Sequence, residues 1–154
     1  MVLFGDVSGG YGQRIYNYIK DNSDKNVYYI DGFTNNDSRD YYKEQCANDK
    51  DGNTVIVGSI YTMGEGIDIP NLSAIFLVNT SKSERMIRQI LGRGIRLAEG
   101  KKNAVLFDIV DDLRYSMDQN NRYYENYMWQ HYTNRKRIYK EHNFPSYTRR
   151  INFE

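Results

Sequence analysis

The segment MIRQILGRGIRL, residues 86–97, sets Arg88, Arg93 and Arg96 among Ile, Leu and Gly. At 3.6 residues per turn, Gln89, Arg93 and Arg96 fall within about 60° of one another around a helix axis. Ile87, Ile90 and Leu91 take another side. Such a helix buries one face and aims an amide and two guanidinium groups at something polar. An acidic protein surface, nucleic acid and the phosphates of a nucleotide all fit that description. Arginine suits phosphate because it stays protonated and its planar fork donates to two oxygens at once. A second stretch, TMGEGIDIP (62–70), places Gly64 and Gly66 two apart, letting the backbone turn sharply and approach a ligand that side chains would block. His131 and His142 have no Cys or His partner at ligand spacing, so no metal site is expected.

These groups need elements to hold them. VLFGDV (2–7), VYYID (27–31), TVIVGS (54–59), AIFLVN (74–79) and AVLFDIV (104–110) are short, β-branched or aromatic, and lack strict apolar/polar alternation. That pattern predicts strands covered on both faces. Between them, 11–20, 37–48 and 83–91 carry apolar residues three or four apart and read as helices. Alternating strand and helix predicts an α/β fold with a parallel sheet, whose ligands gather at loops leaving the carboxyl ends of the strands. SGGYG (8–12), DGFTNN (31–36) and YTMGEGIDIP (61–70) are those loops. Beyond Asp112, residues 121–141 read as one long helix with Tyr124, Tyr127, Met128, Tyr132, Ile138 and Tyr139 as a stripe packing on the sheet. Pro145 ends it, and SYTRRINF after it alternates as a last short strand.

The chain has 154 residues, 40% hydrophobic and 27% charged, with a mean hydropathy of −0.78. That is enough for one domain with its own core. No apolar run approaches a bilayer span, so no membrane partner is expected. Cys46, the only cysteine, excludes an intrachain disulfide and makes a reduced, cytoplasmic compartment the default; it reads as a small buried residue. From Leu113 onward there are 8 Lys/Arg against 4 Asp/Glu, leaving 13 against 16 before it. A basic tail with interleaved aromatics suits nucleic acid, and it equally suits a solvated helix face. Arg135, Lys136 and Arg137 are its densest cluster.

The loops together resemble motifs of superfamily 2 helicases and translocases. Gln89, Gly92, Arg93 and Arg96 match motif VI, Gln-x-x-Gly-Arg-x-x-Arg. Thr62, Gly66 and Asp68, with Ile67, Ile69 and Pro70, match motif V. VLFG resembles motif IV, and IDGFTNNDSRDYY the strand-turn-helix of motif IVa. The resemblance covers residues 2 to about 112. It implies a RecA-like, P-loop NTPase type lobe over 1–112, the second of the two such enzymes possess, with a basic aromatic helical tail over 113–154 packed on or next to it. The tail resembles that of the branched-DNA helicases of T-even phages.

The resemblance also implies roles. ATP would sit in a cleft between this lobe and an N-terminal RecA-like lobe that holds the nucleotide and Mg²⁺. Arg93 and Arg96 would meet the γ-phosphate, with Arg96 as the arginine finger. Gln89 would couple closure to hydrolysis, and Gly66 and Asp68 would lie on the nucleotide side. Thr62 would donate to a DNA phosphate. Gly5 with the following SGG, then Gly32, Thr34 and Arg39, would touch the DNA backbone without reading sequence, although Asp6 and Asp31 in the same loops repel phosphate. No Gly-x-x-x-x-Gly-Lys-Ser/Thr loop and no Asp-Glu pair occurs, so the expectation is a carboxyl-terminal fragment of a DNA helicase, inactive alone. A duplex translocase of restriction or remodelling type shares motifs V and VI. A stand-alone binding or annealing module is the reading from another class; intact Gln89, Arg93 and Arg96 speak against it.

Overall fold

The computed structural model describes residues 1–5, 9–64, 69, 71–78, 83–94, 103–116 and 123–152. Five parallel strands, β1 (Val2–Phe4), β2 (Asn26–Ile30), β3 (Thr54–Ser59), β4 (Ala74–Val78) and β5 (Val105–Asp108), form one sheet in the order β2-β3-β1-β4-β5. Parallel neighbours require crossovers. Helices α1 (Tyr11–Asp21), α2 (Asn36–Asn48) and α4 (Glu84–Gly94) supply them, with the single-turn α3 (Ile60–Gly64) straight after β3. The chain winds outward from β1 to β2, returns through β3, then crosses to β4. That reversal beside β1 is the kind of switch point at which open α/β sheets bind ligands.

Successive strand residues point to opposite faces. Val2, Phe4 and Val57 are buried against Ile15, Tyr16 and Ile19 of α1. Leu3, Ile30, Ile56, Ile75 and Leu77 are buried on the other side with Ile60 and Met63 of α3, Ile87, Ile90 and Leu91 of α4, and Ile138 and Tyr139 of α5 (Tyr127–Glu141). Both faces of the inner strands are covered, which is why they lack alternation, while Val105 and Phe107 leave one face of β5 exposed. The closest approach is at α1: a Cβ on Gly12 would come 2.3 Å from Phe4 Cζ. Gly12→Ala is therefore expected to destabilise the fold despite alanine's better helix propensity of about 1 kcal/mol. Overpacking of this kind costs about 1–3 kcal/mol; a denaturant midpoint equal to or above the parent's would contradict the contact.

Several elements differ from the sequence reading. β1 is recorded only over Val2–Phe4, and Asp6–Ser8 lie outside the described residues. The stretch read as a loop from Tyr61 begins helical, because Ile60 and Met63 place two apolar side chains in the core one turn apart. The tail helix starts at Tyr127 rather than 121. Asn126 is extended (φ −69°, ψ 161°), and before it β7 (Tyr123–Tyr124) pairs antiparallel with β6 (Tyr115–Ser116). Of the expected stripe, Ile138 and Tyr139 are buried, but Tyr124 and Tyr127 are exposed. No strand forms in 143–152, where Tyr147 and Ile151 are exposed. Alternation promises one apolar face, yet a strand also needs a partner edge. Cys46 is half-buried, and desolvation pushes its thiol up to about 11, which keeps it protonated and unreactive near neutrality. No helix among the described residues is long and apolar enough to cross a membrane.

Candidate nucleotide and nucleic-acid site

Three neighbouring strands end in loops at one edge. After β1, Gly5 is half-buried, and Gly10 (φ 63°) turns the chain into α1. After β2 the chain forms a tightly bonded turn. Asp31 Oδ1 accepts from the Phe33 and Thr34 amides at 3.0 and 3.1 Å and from Thr34 Oγ1 at 3.1 Å. The Asp31 amide donates to Thr34 Oγ1 at 3.0 Å. Arg39 Nη2 donates to the carbonyls of Asp31 and Gly32 at 3.0 and 3.3 Å. Asn35 Oδ1 then caps α2 by accepting from the Ser38 amide at 2.8 Å. Thr34 and Arg39 thus build the turn, and a phosphate contact from either would compete with these bonds. The Asp31 carboxylate is engaged by its own turn, with Gly32 and Phe33 left exposed at the tip. After β3, the Ser59 hydroxyl is buried with no hydrogen-bond partner among the described residues, and Thr62 sits half-buried on α3. Gly66 and Asp68 lie outside the described residues.

Helix α4 buries Ile87, Ile90 and Leu91. Gln89 is half-buried, and Arg93 follows one turn later on the same side of the helix. The helix ends at Gly94. Arg96, expected on the same helical face, lies outside the described residues, as does the Arg93 side chain.

Sequence reasoning missed how α4 is held. Glu84 accepts from Arg88 Nη2 at 2.5 Å and Nε at 3.0 Å, and Arg137 Nη2 reaches it at 3.3 Å. Arg137 also pairs with Glu141 at 2.5 Å, and Arg88 with Glu141 at 3.6 Å; Arg88 further contacts His142. Four charges therefore alternate between α4 and α5. Hydrogen bonds from Arg88, helped by the Arg137 charge, hold the Glu84 carboxyl below its ordinary 4.5. Its share of the lattice is present above that value and fades as pH falls through the lowered one.

The basic cluster expected at 135–137 is not one exposed face. Arg135 is 1% exposed, with Nε and Nη2 on the two carboxylate oxygens of Asp108 at 2.9 and 2.8 Å. Tyr139 donates its hydroxyl to the same carboxylate at 2.9 Å. Arg135 is a core group and is withdrawn from the DNA-contacting residues. Burying it became necessary because Asp108, at the carboxyl end of β5, is itself nearly buried and needs a counter-charge. Arg137 is half-exposed and paired as above. Lys136 is exposed, its Nζ 5.9 Å from the Tyr132 ring centre.

A central five-stranded parallel sheet, helices on both faces, and Gln89 and Arg93 on the helix between β4 and β5 define the carboxyl-terminal RecA-like lobe of superfamily 2 helicases. The model of the helicase conserved C-terminal domain matches residues 10–98, and the chain belongs to that family. It is 33% identical over 110 residues to the ATP-dependent DNA helicase uvsW of Enterobacteria phage T4, covering 71% of this chain and 21% of that protein. The chain therefore spans about a fifth of that relative. The crystal structure of T4 UvsW superposes with a TM-score of 0.69 at 25% identity, over 91% of this chain and 28% of that one. A DNA-bound type ISP restriction-modification enzyme, LlaBIII, shares the fold with a TM-score of 0.63 at 20% identity, over 90% of this chain and 10% of that one.

Proposed function

We propose that the chain is the second motor lobe of an ATP-dependent DNA helicase that acts on branched or duplex DNA in recombination and repair. Gln89, half-buried on α4, with Arg93 one turn further along that helix, carries this reading; the similarity to the phage DNA helicase supports its choice of substrate. In such a motor the first lobe binds ATP, and this lobe closes on it. Arg93 and Arg96 then donate to γ-phosphate oxygens as negative charge redistributes in the transition state, while Gln89 ties that closure to the nucleotide. Thr62 and the backbone at Gly5 and Gly32 grip DNA phosphates, so hydrolysis in the cleft moves the DNA-binding edge. Among the described residues no group of His, Cys, Asp or Glu can hold a metal ion. In this reading Mg²⁺ would be held by the first lobe, with its own metal carboxylates.

Purified alone, the chain is expected to bind DNA without sequence preference and to leave ATP intact. Joined to a first lobe bearing a phosphate loop and metal carboxylates, it should hydrolyse ATP in response to DNA. Failure of both would remove the motor reading. The tail's contribution is small and can be read from salt dependence. Lys136→Ala should flatten the slope of log K against log salt by no more than about 0.9, one phosphate contact. A larger change would mean that further tail cations reach the DNA.

A further inference from the structure

Phe33 is 91% exposed, Tyr61 57% and Tyr11 42%. They follow the carboxyl ends of β2, β3 and β1, which lie side by side in that order. We propose that these three rings form a base-stacking platform for a single strand of nucleic acid laid across this edge of the sheet. The inference rests on the nucleic-acid reading above and adds the bases to a grip otherwise made on the backbone.

A single exposed ring needs no explanation. Three in the segments that follow neighbouring strands at one edge are a different matter, and each is held in place. Phe33 stands on the turn that Asp31, Thr34 and Arg39 lock with hydrogen bonds, so little ordering remains to be done on binding. Tyr61 is carried on α3, anchored on either side by buried Ile60 and Met63. Tyr11 opens α1, with the Arg14 guanidinium 5.9 Å from its ring centre and hydrogen-bonded to the Gly9 carbonyl. Neither Phe33 nor Tyr61 stacks on another ring among the described residues. By contrast, exposed Tyr41 packs edge-on against Tyr28 and Tyr42.

Two strand spacings separate β2 from β1, about 10 Å, the rise of roughly three stacked nucleotides at about 3.4 Å each. Charge also fits. Arg14 lies beside Tyr11 and Arg39 on the turn that carries Phe33, and in that turn Asp31 Oδ1 accepts three hydrogen bonds. Stacking on aromatic faces tolerates any base, as a motor that ignores sequence requires.

The test compares binding of a short oligothymidylate with that of an abasic oligomer of equal length, which keeps the phosphates and lacks the bases. The chain should prefer the oligothymidylate by on the order of tenfold or more. Phe33→Ala and Tyr61→Ala should each weaken oligothymidylate binding by on the order of fivefold or more and leave the abasic oligomer unaffected, while Phe33→Trp keeps the preference. Both positions are exposed, and circular dichroism checks that the variants fold. Equal binding of the two oligomers, or variants that weaken both alike, would overturn the platform and leave the backbone grip standing. A folded chain that binds neither oligomer nor duplex would overturn the nucleic-acid reading with it.

Discussion

Arg96→Ala in the complete motor is expected to lower kcat for DNA-stimulated ATP hydrolysis by on the order of 10³, with DNA affinity nearly unchanged. Arg93→Ala should behave similarly. On the proposed reading the two arginines would meet charge that develops only as the γ-phosphate leaves, so their loss would be felt in the transition state. On the same reading the DNA would be held by other loops, at the ends of β1, β2 and β3. Steady-state turnover and anisotropy titration of labelled DNA separate the two effects. A mutant that lost DNA binding and kept its turnover would move these residues out of the nucleotide cleft. Lysine at either position should rescue poorly, since a point charge cannot reproduce the two-pronged donation.

Removing Arg135 is expected to be the most damaging change to stability. Asp108 would be left as a nearly buried carboxylate with the Tyr139 hydroxyl as its remaining named donor. Breaking a buried pair from one side costs about 3–5 kcal/mol, a large part of the roughly 5–15 kcal/mol that holds a typical domain together. The melting temperature of Arg135→Ala should fall by roughly 10 °C. The paired change Asp108→Leu with Arg135→Met should recover most of that, because it removes both charges and keeps volume. Lys136→Ala next door should shift stability by less than about 0.5 kcal/mol. A single Arg135→Ala variant within about 1 kcal/mol of the parent would show that the pair is solvated. Alkali probes the same site. Burial, with Asp108 alongside, raises the Tyr139 hydroxyl above its ordinary 10.0. Its contribution is therefore intact below pH 10 and lost as pH climbs beyond it.

The inner strands of the lobe were legible because their apolar runs pack on both faces, whereas in β5 Val105 and Phe107 stay exposed. Leu3 and Phe4, adjacent in sequence, bury into opposite layers. The buried stripe of α4 was legible for the same reason, since Ile87, Ile90 and Leu91 recur at helical spacing. Arg135 was not legible. Nothing in RKR distinguishes the cation that a distant aspartate pulls into the core from the two that stay outside. From sequence Thr34 and Arg39 look like backbone-phosphate contacts of their loop, whereas the hydrogen-bond pattern has them bracing it. Phe33 carried no signal in one dimension; its exposure became informative once its neighbours across the sheet were known. The terminal alternation in SYTRRINF misled because pattern cannot supply an edge to pair with.

The position of β1 in the sheet has a consequence for how the lobe is made. Val2–Phe4 pairs with Val57–Ser59 on one side and Phe76–Val78 on the other, so the central strand is synthesised well before either neighbour. At 5–20 residues per second, on the order of 4–15 s separate β1 from the last strand it needs. Until β3 is made VLF has no edge to join, and until β4 follows one of its two edges stays open. Non-local pairing of this kind folds slowly, because loop closure must precede any reward. The lobe should therefore gain its native protection late and all at once, when β4 arrives to enclose a strand that has waited the longest.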